Sequence, residues 1–238
     1  MGRHWQRTRA GTVVPSGPVD SLTIGLGAYW KMEELETGPV LDSLGRSNLA
    51  RSGNPVQVEG IIDNAQQFVP ATGDDLHTPD APWLRPVTAG FTLSAWVWFD
   101  AVAAAGLVAK QSAGNLEYLL ECDGAYFDFQ VTADGLTPTA VTLLDDLDSG
   151  VWHHIVAKYD AGLNQASLIH DNAATASVPF IGPVHVDNNA LHLGKDPLSG
   201  QILAGRIDEV GLWQRPLTPP EITRLYNTGA GLTYPFAP

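Results

Sequence analysis

After Gly25 the chain consists of short runs in which apolar and polar residues alternate, and Gly, Pro, Asn and Asp separate one run from the next. The clearest run, residues 91–99, reads FTLSAWVWF, so that one face is wholly apolar and the other carries two tryptophans, a threonine and a serine. Because side chains alternate across a strand, this pattern predicts a strand with both faces at least partly covered. Residues 152–159, WHHIVAKY, alternate similarly and predict a second long strand.

Many further strands are predicted from the same alternation. They fall at residues 28–32, 65–69, 106–110, 117–122, 126–131, 139–144, 165–170, 190–193 and 206–213. About ten or more short strands with turn residues between them are typical of two packed antiparallel sheets. The fold class predicted from the pattern is therefore all-β, a two-sheet antiparallel sandwich.

One short helix is predicted near the C-terminus. Thr218 is placed as the N-cap, with proline at the first helical position and Glu221 three residues after the cap. Ile222 and Leu225 then supply an apolar face, and Gly229 is expected to end the helix. This helix should pack against the sandwich.

Residues 1–22 show no sustained period and are rich in Gly, Pro and polar residues. We interpret them as an extended N-terminal arm that precedes a sandwich over residues 23–238. Basic and apolar side chains recur in this otherwise polar segment, and we expect the arm to dock on another protein subunit. Its predicted contact residues are Arg3, Trp5, Arg7, Arg9, Val13 and Val14.

Four segments, in this order, resemble the laminin-G-like and concanavalin A-like jelly-roll family. They are GAYWKMEE at residues 27–34 followed by LDSLG, FTLSAWV at 91–97, WHHIVAKYD at 152–160, and GRIDEVGLW at 205–213 followed by RPLT. The resemblance implies a jelly-roll sandwich over about residues 25–230. It does not imply one ligand, because this fold carries lectins, adhesion modules, glycosidases and structural domains.

Composition and charge restrict the partners. The chain of 238 residues has a formal net charge of −13, which disfavours nucleic acid because phosphate binding relies on Lys and Arg. No apolar run approaches the roughly 18–20 residues that span a bilayer, so no membrane insertion is expected. The basic N-terminus has no apolar stretch behind it, so no signal peptide is expected and the chain is made in the cytoplasm. The only cysteine, Cys122, is expected to be a buried thiol.

Catalysis is not expected. Hydrolases of the resembled fold commonly place their carboxylates on a Glu-x-Asp-x-Glu strand, and no such triplet occurs here. Glu117, Glu121 and Asp123 share a spacing of two or four, but Leu119 interrupts them. Asp208 and Glu209 are adjacent, so we expect them on opposite faces of a strand in structural roles.

The residue types allow two kinds of metal site. Hard oxygen ligands in predicted loops favour calcium, and the candidates are Asp74, Asp75, Asp187 and Asn188. The alternative is that these residues only form turns, which Asp and Asn favour. Zinc is less favoured, because His153 and His154 are neighbours on opposite faces and the other histidines show no ligand spacing.

Aromatic rings suit the apolar faces of sugars, and Trp83, Tyr126 and Trp213 are the candidate platform residues, with packing as the alternative for each. We therefore expect a non-catalytic binding or adhesion domain that recognises a glycan or cell-surface polysaccharide. The alternative is a structural decoration protein on the surface of an assembly such as a phage virion, attached through its N-terminal arm.

Overall fold

The computed structural model describes residues 20–236. Within that range the chain forms fifteen strands and one α-helix, whose bounds follow in chain order: β1 Leu26–Trp30, β2 Ala50–Ser52, β3 Val56–Glu59, β4 Asn64–Phe68, β5 Asp75–Thr78, β6 Gly90–Phe99, β7 Ala104–Ser112, β8 Asn115–Asp123, β9 Phe127–Val131, β10 Thr139–Leu143, β11 Trp152–Asp160, β12 Gln165–His170, β13 Ala174–Pro179, β14 Leu191–Leu193, β15 Gly205–Trp213 and α1 Pro219–Tyr226.

The strands form two antiparallel sheets, which confirms the predicted sandwich. The first sheet has the order β13-β12-β11-β6-β15-β4-β3, with β1 paired to β15, and the second has the order β10-β9-β8-β7-β14-β5-β2. The main hydrophobic core lies between the two sheets and includes Cys122, whose thiol is buried as expected. No helix within residues 20–236 is long and apolar enough to cross a membrane.

Strand β6 is central to the first sheet, and the sequence predicts that both of its faces are at least partly covered. It pairs with β11 on one side and β15 on the other. Leu93 on its inner face is 1% exposed and belongs to the main core. Trp96 on its outer face is also buried, and its ring stacks on Tyr226 at a centroid distance of 5.8 Å. Both faces of the strand are therefore covered.

Helix α1 covers the outer face of the first sheet. The predicted pairing of Thr218 with Glu221 is present, since Glu221 Oε2 accepts hydrogen bonds from the Thr218 backbone N–H and from the Thr218 hydroxyl, both at 2.9 Å. The helix packs Ile222 and Leu225 into a second apolar cluster. It ends at Tyr226, earlier than predicted, because Asn227, two residues before Gly229, already adopts the left-handed conformation that terminates a helix.

The boundary between arm and sandwich differs from the prediction. Leu22 is fully buried in the second apolar cluster, the one that contains Ile222 and Leu225 of α1. The Asp20 carboxylate accepts hydrogen bonds from Arg224 of the same helix. Residues 20–22 thus belong to the sandwich. The predicted docking residues of the arm lie outside the described residues, and docking stays a prediction; they are Arg3, Trp5, Arg7, Arg9, Val13 and Val14.

Candidate binding site at the rim of the sandwich

The hairpin between β8 and β9 places Tyr126 at one rim of the second sheet. The turn closes with a hydrogen bond from the Asp123 backbone N–H to the Tyr126 carbonyl at 3.1 Å. Gly124 has a φ of 101°, a conformation that side chains rarely adopt, so glycine is required there. The Tyr126 ring is half-buried, and a hydrogen bond to the Asp123 carboxylate raises the pKa of its hydroxyl.

The connection between β10 and β11 forms the facing wall. Leu144 is 78% exposed, and Asp145 and Asp146 follow it. Together with Ala125 and Tyr126, these residues line a depression of about 330 Å³. The depression therefore combines an aromatic ring with carboxylates, which accept hydrogen bonds from hydroxyl groups.

A chain of buried histidines holds Asp145 in place. Asp145 Oδ2 lies 2.8 Å from His170 Nδ1, His170 Nε2 lies 2.9 Å from His153 Nδ1, and His153 Nε2 lies 2.8 Å from the Asp148 carbonyl oxygen. Each of these three hydrogen bonds needs one proton, and the Asp148 carbonyl supplies none because it only accepts. The two imidazole rings and the Asp145 carboxyl group must therefore carry three protons between them for all three bonds to form. The Asp171 carboxylate, 3.3 Å from His170 Nε2, adds a second negative group beside that ring. This network fixes the orientation of the Asp145 carboxylate.

His153 and His154 point to opposite sides of β11, as adjacent strand residues should. His153 contacts Phe127 of the second sheet, whereas His154 lies against Trp96 on the outer face. Burial, with a smaller contribution from His170, lowers the pKa of His154 to about 3, so this imidazole is neutral at physiological pH. His154 is therefore a packing residue, and its Nε2 lies 2.9 Å from the Ser94 hydroxyl.

Of the three aromatic candidates, only Tyr126 lines the depression. Trp83 is half-buried, and its indole N–H donates to the Ser47 hydroxyl at 2.7 Å while its ring packs against the main core. Trp213 is fully buried, and its indole N–H donates to the Leu22 carbonyl at 2.7 Å. The prediction for Trp213 is wrong, because a ring without exposed surface cannot stack on a sugar.

Among the predicted metal ligands, Asp74 organises a turn. Its carboxylate accepts from the backbone N–H groups of Asn54 and Val69 at 2.6 and 2.8 Å and from the Thr72 hydroxyl at 2.7 Å. Asp74 is fully buried and belongs to no group of three potential ligand side chains within the described residues. These bonds occupy most of the acceptor positions of the carboxylate.

Asp75 lies in strand β5 and not in a loop, so this part of the prediction is wrong. Only one of the four residues of β5 is apolar, which is why alternation failed to reveal the strand. The structure brings Asp75 together with His77 and His192, a histidine pair that sequence spacing did not indicate. Asp187 and Asn188 lie elsewhere, in the loop before β14, where the Asn188 N–H donates to the Asp187 carboxylate. Calcium binding stays a prediction.

The architecture is that of a lectin-like β-sandwich, with loops of the second sheet forming a rim depression. The profile of the concanavalin A-like lectin/glucanases superfamily, Laminin_G_3, matches residues 70–223. The match covers more than half of the chain, so the protein belongs to this superfamily, which confirms the resemblance; three of the four sequence segments lie inside the matched residues. No curated protein matches the chain.

Solved structures with the same fold include binding domains of clostridial toxins. The binding domain of Paraclostridial Mosquitocidal Protein 1 superposes with a TM-score of 0.68 at 14% identity, covering 86% of this chain and 52% of that one. The binding domain of botulinum neurotoxin DC in complex with SialylT gives a TM-score of 0.66 at 8% identity, covering 87% and 52%. The same toxin domain in complex with rat synaptotagmin II gives 0.65 at 7%, covering 86% and 51%. The chain thus spans about half the length of these domains, and the likeness concerns the fold.

Proposed function

We propose that the protein is a non-catalytic binding domain whose rim depression, built around Tyr126 and Asp145, binds a glycan. The observation that carries the proposal is the combination of a half-buried aromatic ring with an oriented carboxylate in one open depression. An aromatic face contacts the apolar side of a sugar ring, and a carboxylate accepts hydrogen bonds from its hydroxyl groups. Similar folds occur in toxin domains solved with SialylT and with synaptotagmin II, which supports a binding role.

The charge of the depression narrows the class of glycan. Asp145 and Asp146 line it, Asp123 accepts a hydrogen bond from the Tyr126 hydroxyl, and none of the described residues that line it is basic. The chain as a whole carries a formal charge of −13. Because like charges repel, the depression favours neutral or amino-bearing sugars over sialylated or uronic ones. This preference differs from the sialylated ligand named for the neurotoxin domain.

The same geometry argues against hydrolysis. Asp145 and Asp146, the two carboxylates that line the depression, are adjacent residues of one loop. Glycosidases instead need two carboxyl groups that flank the scissile bond, about 5–9.5 Å apart. Asp145 is in addition engaged by His170. Binding is therefore the function that this arrangement favours.

Glycan-array screening of the full chain, followed by calorimetry on the best neutral oligosaccharide, tests the proposal. Tyr126→Ala should weaken binding about tenfold or more, since an aromatic contact contributes about 0.5–1.5 kcal/mol beyond its buried area. Tyr126→Phe is the matched control, because it keeps the ring and should retain most of the affinity. Equal affinity for wild type and Tyr126→Ala would exclude this depression as the site, and release of shorter sugars would overturn the non-catalytic assignment.

A further inference from the structure

A second cluster of chemically active side chains lies on β5 and β14. These strands are toward the end of the second sheet that is opposite to β9 and β10. These strands are antiparallel neighbours, and His77 lies directly opposite His192. Asp75 precedes His77 by two residues, so both side chains point to the same face. The intervening Leu76 is buried in the core between the sheets, as are Leu191 and Leu193 on either side of His192. The carboxylate and the two imidazoles therefore meet on the outer face of the sheet.

The three side chains are close enough to share one ion. Nδ1 of His192 lies 3.0 and 3.1 Å from the two carboxylate oxygens of Asp75, and Nδ1 of His77 lies 3.4 Å from Oδ2. One ligand atom from each residue lies within 4.8 Å of the others. Two ligands bound to a tetrahedral zinc ion at about 2.0–2.2 Å lie roughly 3.3–3.6 Å apart. The separations from the Asp75 carboxylate are close to that value.

Ion pairing alone leaves part of this arrangement unexplained. The Asp75 carboxylate directs both oxygens at His192, whereas Nδ1 of His77 is buried and has no hydrogen-bond partner among the described residues. A buried polar atom without a partner destabilises the folded protein. A cation between the three groups would accept the lone pair of that nitrogen and satisfy it.

We propose that Asp75, His77 and His192 form a binding site for Zn²⁺. Two imidazole nitrogens and one carboxylate oxygen make a donor set that zinc prefers, whereas calcium takes six to eight oxygen ligands. The site is partly open, with side-chain exposures of 32% for His77 and 18% for His192. Three protein ligands with solvent access leave a fourth position for water or a small anionic or hydroxyl-bearing ligand.

The surroundings leave room for that fourth ligand. Ala50 and Ser52 of β2 lie opposite His77 and Asp75, and Ala109 of β7 lies opposite His192. All three neighbours on the adjacent strands have small side chains, which do not cover the imidazoles. Alternation of strand residues thus provides the ligands, and small neighbours keep them accessible.

Zinc titration of the full chain, freed of metal with EDTA and then dialysed, tests the proposal. Calorimetry should show that the wild-type protein binds one equivalent of zinc at a saturable site. His77→Gln and His192→Gln should each lower the zinc affinity more than 100-fold, which is more than the 10–100-fold effect of losing a residue that only hydrogen-bonds a ligand. His185→Ala is the control, because His185 is half-buried and contacts Asn115 in another part of the sheet. It should keep wild-type zinc uptake, and zinc should raise the melting temperature of wild type and control alike.

Histidine ring NMR of the wild-type protein makes the test independent of whether a variant folds. Zinc should shift the Nδ1 signals of His77 and His192, and EDTA should reverse the shift. The proposal is overturned if wild type takes up no zinc, if folded His77→Gln keeps wild-type affinity, or if zinc shifts only other histidines. Displacement of zinc by an equal concentration of calcium would also overturn it, since it would indicate an oxygen-ligand site.

Discussion

A buried glutamate in β15 makes the stability of the protein depend on pH. Glu209 lies where the pairing of β15 with β6 shifts register, and its φ of 47° shows a left-handed residue in the bulge. Its side chain is buried, and Oε2 accepts a hydrogen bond from the Tyr29 hydroxyl at 2.5 Å. The other oxygen, Oε1, has no hydrogen-bond partner among the described residues. Burial raises the pKa of Glu209 from 4.5 to about 7, against the opposing effect of the Tyr29 hydrogen bond.

The sign of the effect follows from proton binding. Between pH 4.5 and 7 the folded protein keeps a proton on Glu209 that the unfolded chain has released. The free energy of unfolding therefore falls as pH rises through this window, and the loss is complete above about pH 7. A rise in pKa from 4.5 to about 7 corresponds to roughly 3 kcal/mol. The adjacent Asp208 adds to this trend, because burial and the charge of Glu209 also raise its pKa.

The substitution Glu209→Gln replaces the titrating group with a neutral one of the same shape that can still accept from Tyr29. Urea unfolding of both proteins at pH 5 and pH 8 should give similar stabilities at pH 5, with the variant about 2–3 kcal/mol more stable at pH 8. Glu59→Gln, at an exposed glutamate, should show no such change between the two pH values. A difference between wild type and Glu209→Gln that is the same at both pH values would refute the reasoning.

Two further predictions concern the core and a buried ion pair. Leu93→Ala should lower the free energy of unfolding by about 2–5 kcal/mol, because Leu93 is 1% exposed between the sheets; a loss under 1 kcal/mol in urea unfolding would contradict its core position. Lys110→Met should cost about 3–5 kcal/mol, because fully buried Lys110 donates to the fully buried carboxylate of Glu117 at 2.5 Å. Asp80, the other partner of Lys110, keeps Arg85 as a partner, so the double change Lys110→Met with Glu117→Leu should recover most of that loss. An unchanged deficit would contradict the assignment of the loss to the unpaired charge of Glu117.

The sequence predicts those elements whose signal is local. Alternation over nine residues identifies β6, and a cap followed by proline and glutamate identifies the start of α1. The sequence does not predict strand β5, because its only apolar residue is Leu76. The polar residues Asp75 and His77 on either side of it are of types that are also common in turns. A short strand held by pairing with its neighbours carries little information in its own residues.

The candidate sites show the same limit. Tyr126 is predicted as a platform residue because an aromatic ring suits the apolar face of a sugar, and the residue type is visible in the sequence. His192 was not linked to His77, because the two are 115 positions apart and only strand pairing brings them together. The prediction that Trp213 is exposed is wrong for a related reason. Its indole N–H donates to the Leu22 carbonyl, and Leu22 lies in a segment that the sequence analysis interprets as an arm.

The rim depression and the zinc ligands are too far apart to form one site for a small ligand. Tyr126 precedes β9, and the order of the second sheet places β8, β7 and β14 between β9 and β5. Neighbouring strands lie about 4.7–4.9 Å apart, so β9 is about 14 Å from β14 and about 19 Å from β5. A monosaccharide in the depression cannot reach the ion, and a zinc-bound ligand cannot contact the Tyr126 ring. Loss of zinc through His77→Gln should therefore leave glycan affinity unchanged. If a chelator abolished glycan binding together with zinc binding, the metal would support the fold of the whole sheet and not only the positions of its own ligands.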